Sequence, residues 1–166
     1  MSGNATRRYV LVAGSIVTAT AKATLHDVRA TCEDLAGEGV VDPADPVGTL
    51  ALEVRVRVGE FKTGSFLQDV AMRRHVDVKA HPQAVFRIES ATGMLDDLAI
   101  EGSVTYRGVA VAVKARGRMA FSSDAATGEA TFDLDLSRFG LQPPKFLVLE
   151  VADVVRVEAK LKARAR

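Results

Sequence analysis

At 166 residues, 48% of them apolar and 26% charged, the chain is long enough for one domain whose core needs neither a disulfide nor a metal, and its composition is not that of a disordered protein. A formal net charge of +1 argues against nucleic acid as a partner, and a single cysteine, Cys32, rules out an intrachain disulfide. Only 5% of residues are aromatic and Trp is absent, so a large interior must be filled by aliphatic side chains or stay partly empty.

Residues 1–8 read as a flexible N-terminus ahead of a single domain over residues 9–164. The apolar run "YVLVAG" ends where Ser15 and Thr18 intervene, too soon for the core of a secretory signal. No stretch approaches the roughly 20 apolar residues of a membrane span. The expectation is a cytoplasmic chain, or a periplasmic one if an export signal has been trimmed away.

From there the dominant pattern has period two, the mark of half-buried strands. "SIVTATAKAT" places Val17, Ala19, Ala21 and Ala23 on one face. "VRATCEDLAGEGVV" is strand-like but interrupted by glycines. "GTLALEVRVRV" sets Leu50, Leu52, Val54, Val56 and Val58 against Glu53, Arg55 and Arg57. After a break, "AVFRIES" pairs Phe86 with Ile88, and "LAIEGSVTY" puts Leu98, Ile100, Val104 and Tyr106 on one side. "VAVAVKARGRMAF", "EATFDLDLS" and "VVRVEAKLKAR" repeat the alternation to the C-terminus. Turn signals "DPADPVG", "ATGMLDD", "YRG" and "SSDAATGE" separate the segments. About eight strands, each with one apolar and one charged face, predict an all-β antiparallel eight-stranded barrel of the lipocalin-like kind.

Several inward positions are small: Ala19, Ala21, Ala23, Ala115, Gly117, Ala130 and Ala159. Beside Leu, Val, Phe and Met they leave an apolar hollow, unless helix or loop residues plug it. The break itself, residues 63–80, does not alternate. Phe66, Val70, Arg73 and Asp77 follow helical spacing, Thr63 or Ser65 can cap the segment, and Pro82 stops it. This predicts a short helical insertion covering one barrel end.

The order of these features resembles the YceI-like family of bacterial proteins. In "TGSFLQDVAMRRHVDVKAHPQAVFRIES", Thr63, Gly64, Asp69, Asp77, Pro82 and Phe86 occupy matching positions. "IEGSVTYRGVAVAV" is similar to the family's paired-strand element through Gly102, Thr105, Gly108 and Val109. "LDLSRFGL" is similar, in shortened form, to its Arg-x-x-Phe-Gly element through Arg138, Phe139 and Gly140. "LHDVRATCEDLAGEG" stands where the family has a Ser/His-x-x-x-Gly-x-Phe run, with Ala30 and Cys32 in place of Gly and Phe. The resemblance implies a lipocalin-like barrel that binds long apolar chains, polyisoprenoids or fatty-acid derivatives, and forms homodimers.

The residues expected to line the hollow are Val17, Ala19, Leu52, Val54, Phe66, Phe86, Leu98, Ile100, Val113, Phe132 and Leu134. Arg73, Arg74 and Lys79 form a basic cluster beside Phe66, Leu67 and Met72. They are head-group candidates, because cations hold a carboxylate or diphosphate. "PPKFLVLEV" offers Phe146, Leu147 and Leu149 to the cavity, the barrel end or a dimer contact. Other chemistry is poorly supported. His75 and His81 are six apart, not at a metal-ligand spacing, and His26 stands alone. Cys32 lacks a fixed partner, no serine has a nucleophile-elbow context, and Asp133 and Asp135 share a solvated face. The expectation is therefore a non-enzymatic apolar-ligand carrier, store or sensor without cofactor or metal. The alternative is a solidly packed barrel serving as an interaction or structural module.

Overall fold

The computed structural model describes residues 6–141, 145–146 and 149–166, with the backbone alone at 145–146 and 149–150. The strands are β1 (Arg7–Leu11), β2 (Ile16–Ala23), β3 (Val28–Cys32), β4 (Leu35–Val41), β5 (Ala51–Arg57), β6 (Gln83–Met94), β7 (Asp97–Tyr106), β8 (Val109–Phe121), β9 (Ala125–Asp135), β10 (Lys145–Phe146) and β11 (Leu149–Ala165). Helix α1 (Pro46–Thr49) is a single turn, and α2 (Phe66–His75) is the insertion between β5 and β6.

Every pairing is antiparallel, and the ring β1–β4–β5–β6–β7–β8–β9–β11 closes when β11 returns to β1 through Tyr9 opposite Ala165. β2 continues β1 along the same edge of β11, and β3 precedes β4 along the next strand, pairing with β2. Counting β1 with β2 and β3 with β4, this is a closed eight-stranded barrel; the outer edge of β3 is met at the Thr31–Lys62 bridge. The short β10 adds only a pairing to β11.

Three details differ from the period-two reading. Residues 7–11 are a strand, although the first two lie in the N-terminal stretch read as flexible; their partners are β4 and the far C-terminus, which local pattern cannot reveal. β6 runs through "ATGM" to Met94, and the turn falls at Leu95–Asp96. The first long strand breaks between Leu11 and Ile16, where the buried Ser15 hydroxyl accepts from Lys162 N at 2.9 Å and donates to Val12 O at 3.0 Å.

The connections sort into two ends. One end carries residues 24–27, the α2 excursion, the Arg107–Gly108 turn and residues 136–141; the other carries α1, the β6–β7 and β8–β9 turns and both ends of the described chain. Arg107 and Gly108 both have positive φ, 54° and 75°, the conformation of a tight two-residue hairpin turn, and Gly at the second place adopts it without steric cost.

The α2 insertion is anchored rather than draped. Ser65 caps it by accepting from Gln68 N. The Asp69 carboxylate accepts from both Thr63 N at 2.7 Å and Thr63 Oγ1 at 2.6 Å. On its far side, the buried Tyr106 hydroxyl shares its hydrogen between Val76 O at 2.8 Å and His81 O at 2.7 Å. That burial pushes the Tyr106 phenol up to about 12, so it stays a donor throughout the neutral range.

Gly102 is one of the close backbone approaches in the wall. A Cβ there overlaps the Arg87 carbonyl oxygen and meets the Phe86 ring at 3.3 Å. Gly102→Ala must therefore open the β6–β7 ladder or displace Phe86. The expected cost is about 1–3 kcal/mol, read as a lower midpoint in urea unfolding.

Candidate functional site

The inner faces do not fill the barrel. They enclose a cavity of about 290 Å3 whose wall is almost wholly apolar. Small side chains create it. Ala130 on β9 faces Ala159 on β11, and both line the cavity, so two adjacent strands lack bulk at one level. Ala19 and Ala21 do the same on β2. Phe86 and Phe132 come from strands that are not neighbours, and their rings stack across the interior at 5.5 Å and 13°.

Of the residues expected from the sequence, Val17, Ala19, Leu52, Val54, Phe86, Ile100, Phe132 and Leu134 lie in the cavity wall. Leu98 and Val113 do not. Both are buried, at 0% and 6% exposure, but each faces glycine across the ladder, Gly93 and Gly117 for Leu98 and Gly102 for Val113. The room left by those glycines lets each side chain pack within the wall. Phe66 is a correction: it is 75% exposed and absent from the lining. Arg73, Arg74 and Lys79 are likewise exposed and absent from it. The reason is rotational. Helical spacing identified α2, but its inner stripe is Met72, His75 and Val76, at i, i+3 and i+4, and Phe66 and Arg73 lie roughly 100–130° round the helix from it. That stripe was the signal for the missed residues, obscured because a lone histidine beside two arginines reads as surface. The side chains of Phe146, Leu147 and Leu149 lie outside the described residues.

His75 is the polar exception in the inner stripe of α2. Its Nε2 is buried and has no hydrogen-bond partner, as does Arg107 Nε at the same end. Burial, helped by the Arg107 cation, holds the imidazole below its ordinary value, so it is neutral at pH 7. A neutral imidazole at the end of an apolar cavity can serve a hydroxyl or carbonyl oxygen.

The sequence of this barrel matches the YceI-like domain over residues 10–163. The chain belongs to the YceI-like family. Solved structures agree in fold. BcnA of Burkholderia cenocepacia superposes with a TM-score of 0.76 at 19% identity, covering 89% of this chain and 95% of that one. A polyisoprenoid-binding domain from Saccharophagus degradans, implicated in plant cell wall breakdown, gives 0.70 at 13% identity, covering 95% and 98%. The Campylobacter jejuni YceI protein gives 0.70 at 14%, covering 86% and 88%. No curated protein matches the sequence.

As a YceI-like barrel, the chain shows no reactive constellation among its described residues. No group of three metal-capable side chains occurs among them. Cys32 is 1% exposed, and burial pushes its thiol up, away from the reactive thiolate. No helix among the described residues is long and apolar enough to cross a membrane.

Proposed function

We propose that this chain binds an apolar chain, a polyisoprenoid or fatty-acid derivative, inside the barrel, for carriage, storage or sensing, without catalysing a reaction on it. The observation that carries the reading is the apolar cavity of about 290 Å3 held open by alanine and glycine. An empty hollow of that size forfeits dispersion contacts that a ligand restores. Each methylene buried contributes about 0.8 kcal/mol, or about fourfold in affinity, so binding should tighten with chain length until the cavity is full.

The test is native mass spectrometry of the freshly purified protein, followed by organic extraction. A stoichiometric extra mass, recovered as an isoprenoid or acyl compound, is the expected result. A clean apo mass with no uptake of added fatty acids or isoprenoids overturns the reading in favour of a packed interaction module. Light scattering on the same sample decides whether the homodimer that the family resemblance implies is formed.

The polar end of such a ligand belongs at His75, not at Arg73, Arg74 or Lys79. A neutral oxygen there would satisfy the orphaned Nε2, whereas the three cations stand outside the wall. His75→Leu is expected to weaken an oxygen-headed ligand by about 1 kcal/mol, or roughly fivefold, and to leave a plain hydrocarbon unaffected. The histidine also gives a pH signature. Its folded-state value lies below its unfolded one, so the unfolded chain binds the extra proton. Stability is then full above the unfolded value of about 6.5 and falls as the pH drops below it. Urea midpoints for His75→Leu should lack that part of the decline; equal declines in both proteins would remove His75 from the account.

A further inference from the structure

Four arginines on the barrel's sides form ion pairs with neighbouring carboxylates, and the cations of the α2 excursion form none among the described residues. Arg55 pairs with Glu38, Arg116 with Asp97, Arg118 with Glu129 and Arg156 with Asp133. At the α2 end, Asp69 is held by Thr63, and Arg57 pairs with Asp34. Arg73, Arg74 and Lys79 are exposed and form no ion pair among the described residues.

Exposed apolar bulk gathers at the same end. Among the described residues the exposed large apolar side chains are Leu25, Val40, Phe66, Leu67, Met94, Val109 and Val154. Leu25 lies in the β2–β3 turn, Phe66 and Leu67 open α2, Val109 follows the Arg107–Gly108 turn, and Val154 faces the last residue of β9. Five of the seven therefore rim one end of the barrel, and only Val40 and Met94 lie elsewhere. Phe66 and Leu67 are each 75% exposed. Apolar groups clustered with unpaired cations are unusual on a surface that faces water alone.

The geometry points to the α2 end of the barrel as a docking face for an anionic lipid surface. Aromatic and aliphatic side chains enter the region between headgroups and acyl chains while basic residues meet the negative headgroups. The occupant follows from charge complementarity and position. The outer face of α2 carries Phe66 and Arg73, and the inner face carries Met72, His75 and Val76 of the cavity wall. A bilayer gripping that outer face lies one helix diameter, about 10 Å, from the space assigned above to an apolar ligand. The choice of a lipid surface rests on that assignment, since an apolar ligand resides in membranes.

Flotation of the full chain with vesicles tests it, using pure phosphatidylcholine and phosphatidylcholine mixed with phosphatidylserine. The chain should float with the anionic vesicles, and added salt should weaken the binding. Phe66→Ser with Leu67→Ser should reduce it at least tenfold. Arg73→Glu with Arg74→Glu should do the same, since each basic residue near such a surface contributes about fivefold. All four positions are exposed or outside the core, so circular dichroism should be unchanged. No flotation with either vesicle overturns the inference, as does equal flotation of the wild type and the Phe66/Leu67 variant. Light scattering that shows this variant dissociating a dimer, without vesicle binding, assigns the face to a second copy and also overturns it. Failure here is separable from failure of the carrier reading. A chain that yields an extractable ligand but does not float loses only the docking face. A chain that floats but has no ligand uptake keeps a lipid-binding face and loses the carrier.

Discussion

Ala130→Phe, combined with Ala19→Phe, should abolish ligand retention and leave the barrel folded. Both alanines line the cavity; Ala130 lies between Gly117 and Ala159, and Ala19 between Ala30 and Val157. A cavity of roughly 150 Å3 accommodates a benzene ring, so one added phenyl takes about half of the 290 Å3 and two take nearly all of it. The rings enter existing space, not packed core, so the overpacking cost that usually accompanies small-to-large changes is avoided. Each ring also gains burial worth about 1.5–3 kcal/mol, and the melting temperature should hold or rise. Ligand affinity should fall at least 100-fold, because the methylenes that supplied about 0.8 kcal/mol each have nowhere to go. Native mass spectrometry after exposure to a fatty acid reads the result directly. A folded double variant that still takes up the same ligand at wild-type affinity would place the binding site outside the barrel.

The same alanines show how far the sequence could be read. Alternation along a strand is a local property, and one-sided burial enforces it, so the strands and their inward faces were visible in "ALEVRVRV" or "FDLDL". Closure followed from the one-sided alternation, but the strand that seals the ring, Arg7–Leu11, did not, because it is defined by partners at Glu38–Val41 and Ala163–Ala165 rather than by its own pattern. Within the inner face, period two cannot separate a side chain that borders a void from one that fills space beside it. Leu98 and Ile100 alternate identically, yet only Ile100 lines the cavity. The difference depends on which residue lies across the ladder. α2 presents the same difficulty in rotation: ten residues of mixed polarity identify a helix without stating which face turns inward.

The motif residues behind the family resemblance are mostly architectural. Thr63 and Asp69 bind each other at the entry to α2. Pro82 O accepts from Val58 N and ties the exit of the excursion to its entry. Gly102 admits a close backbone approach, Gly108 completes a hairpin turn, and Phe139 is buried against Tyr106 at 6.2 Å. Three of them, Thr63, Phe86 and Phe139, line the cavity. A family defined by such positions specifies a barrel and its capped end. The proposed ligand reading draws mainly on other residues, His75 and the wall alanines among them, so the resemblance conveyed the fold more sharply than the site.

Leu98→Ala is expected to cost about 3–5 kcal/mol, near the top of the range for a buried leucine. Leu98 is fully buried, and its ladder partners are Gly93 and Gly117. Neither glycine has a side chain that could relax into the space left behind, so the void persists and its cavity term is paid in full. For a chain of this length each kcal/mol shifts the melting temperature by about 2–4 °C, so the loss is easy to detect. Ile100→Ala makes the informative comparison. Ile100 already borders the void on one side, so truncation removes fewer contacts, and its cost should sit nearer 2 kcal/mol. The effects on ligand should be reversed. Ile100→Ala enlarges the cavity and should admit a bulkier chain, whereas Leu98→Ala should leave the affinity of the native ligand within about threefold once measured well below the melting temperature. Equal stability losses, or a ligand preference altered by Leu98→Ala alone, would mean that the wall and the cavity are not the separate compartments that the glycines create.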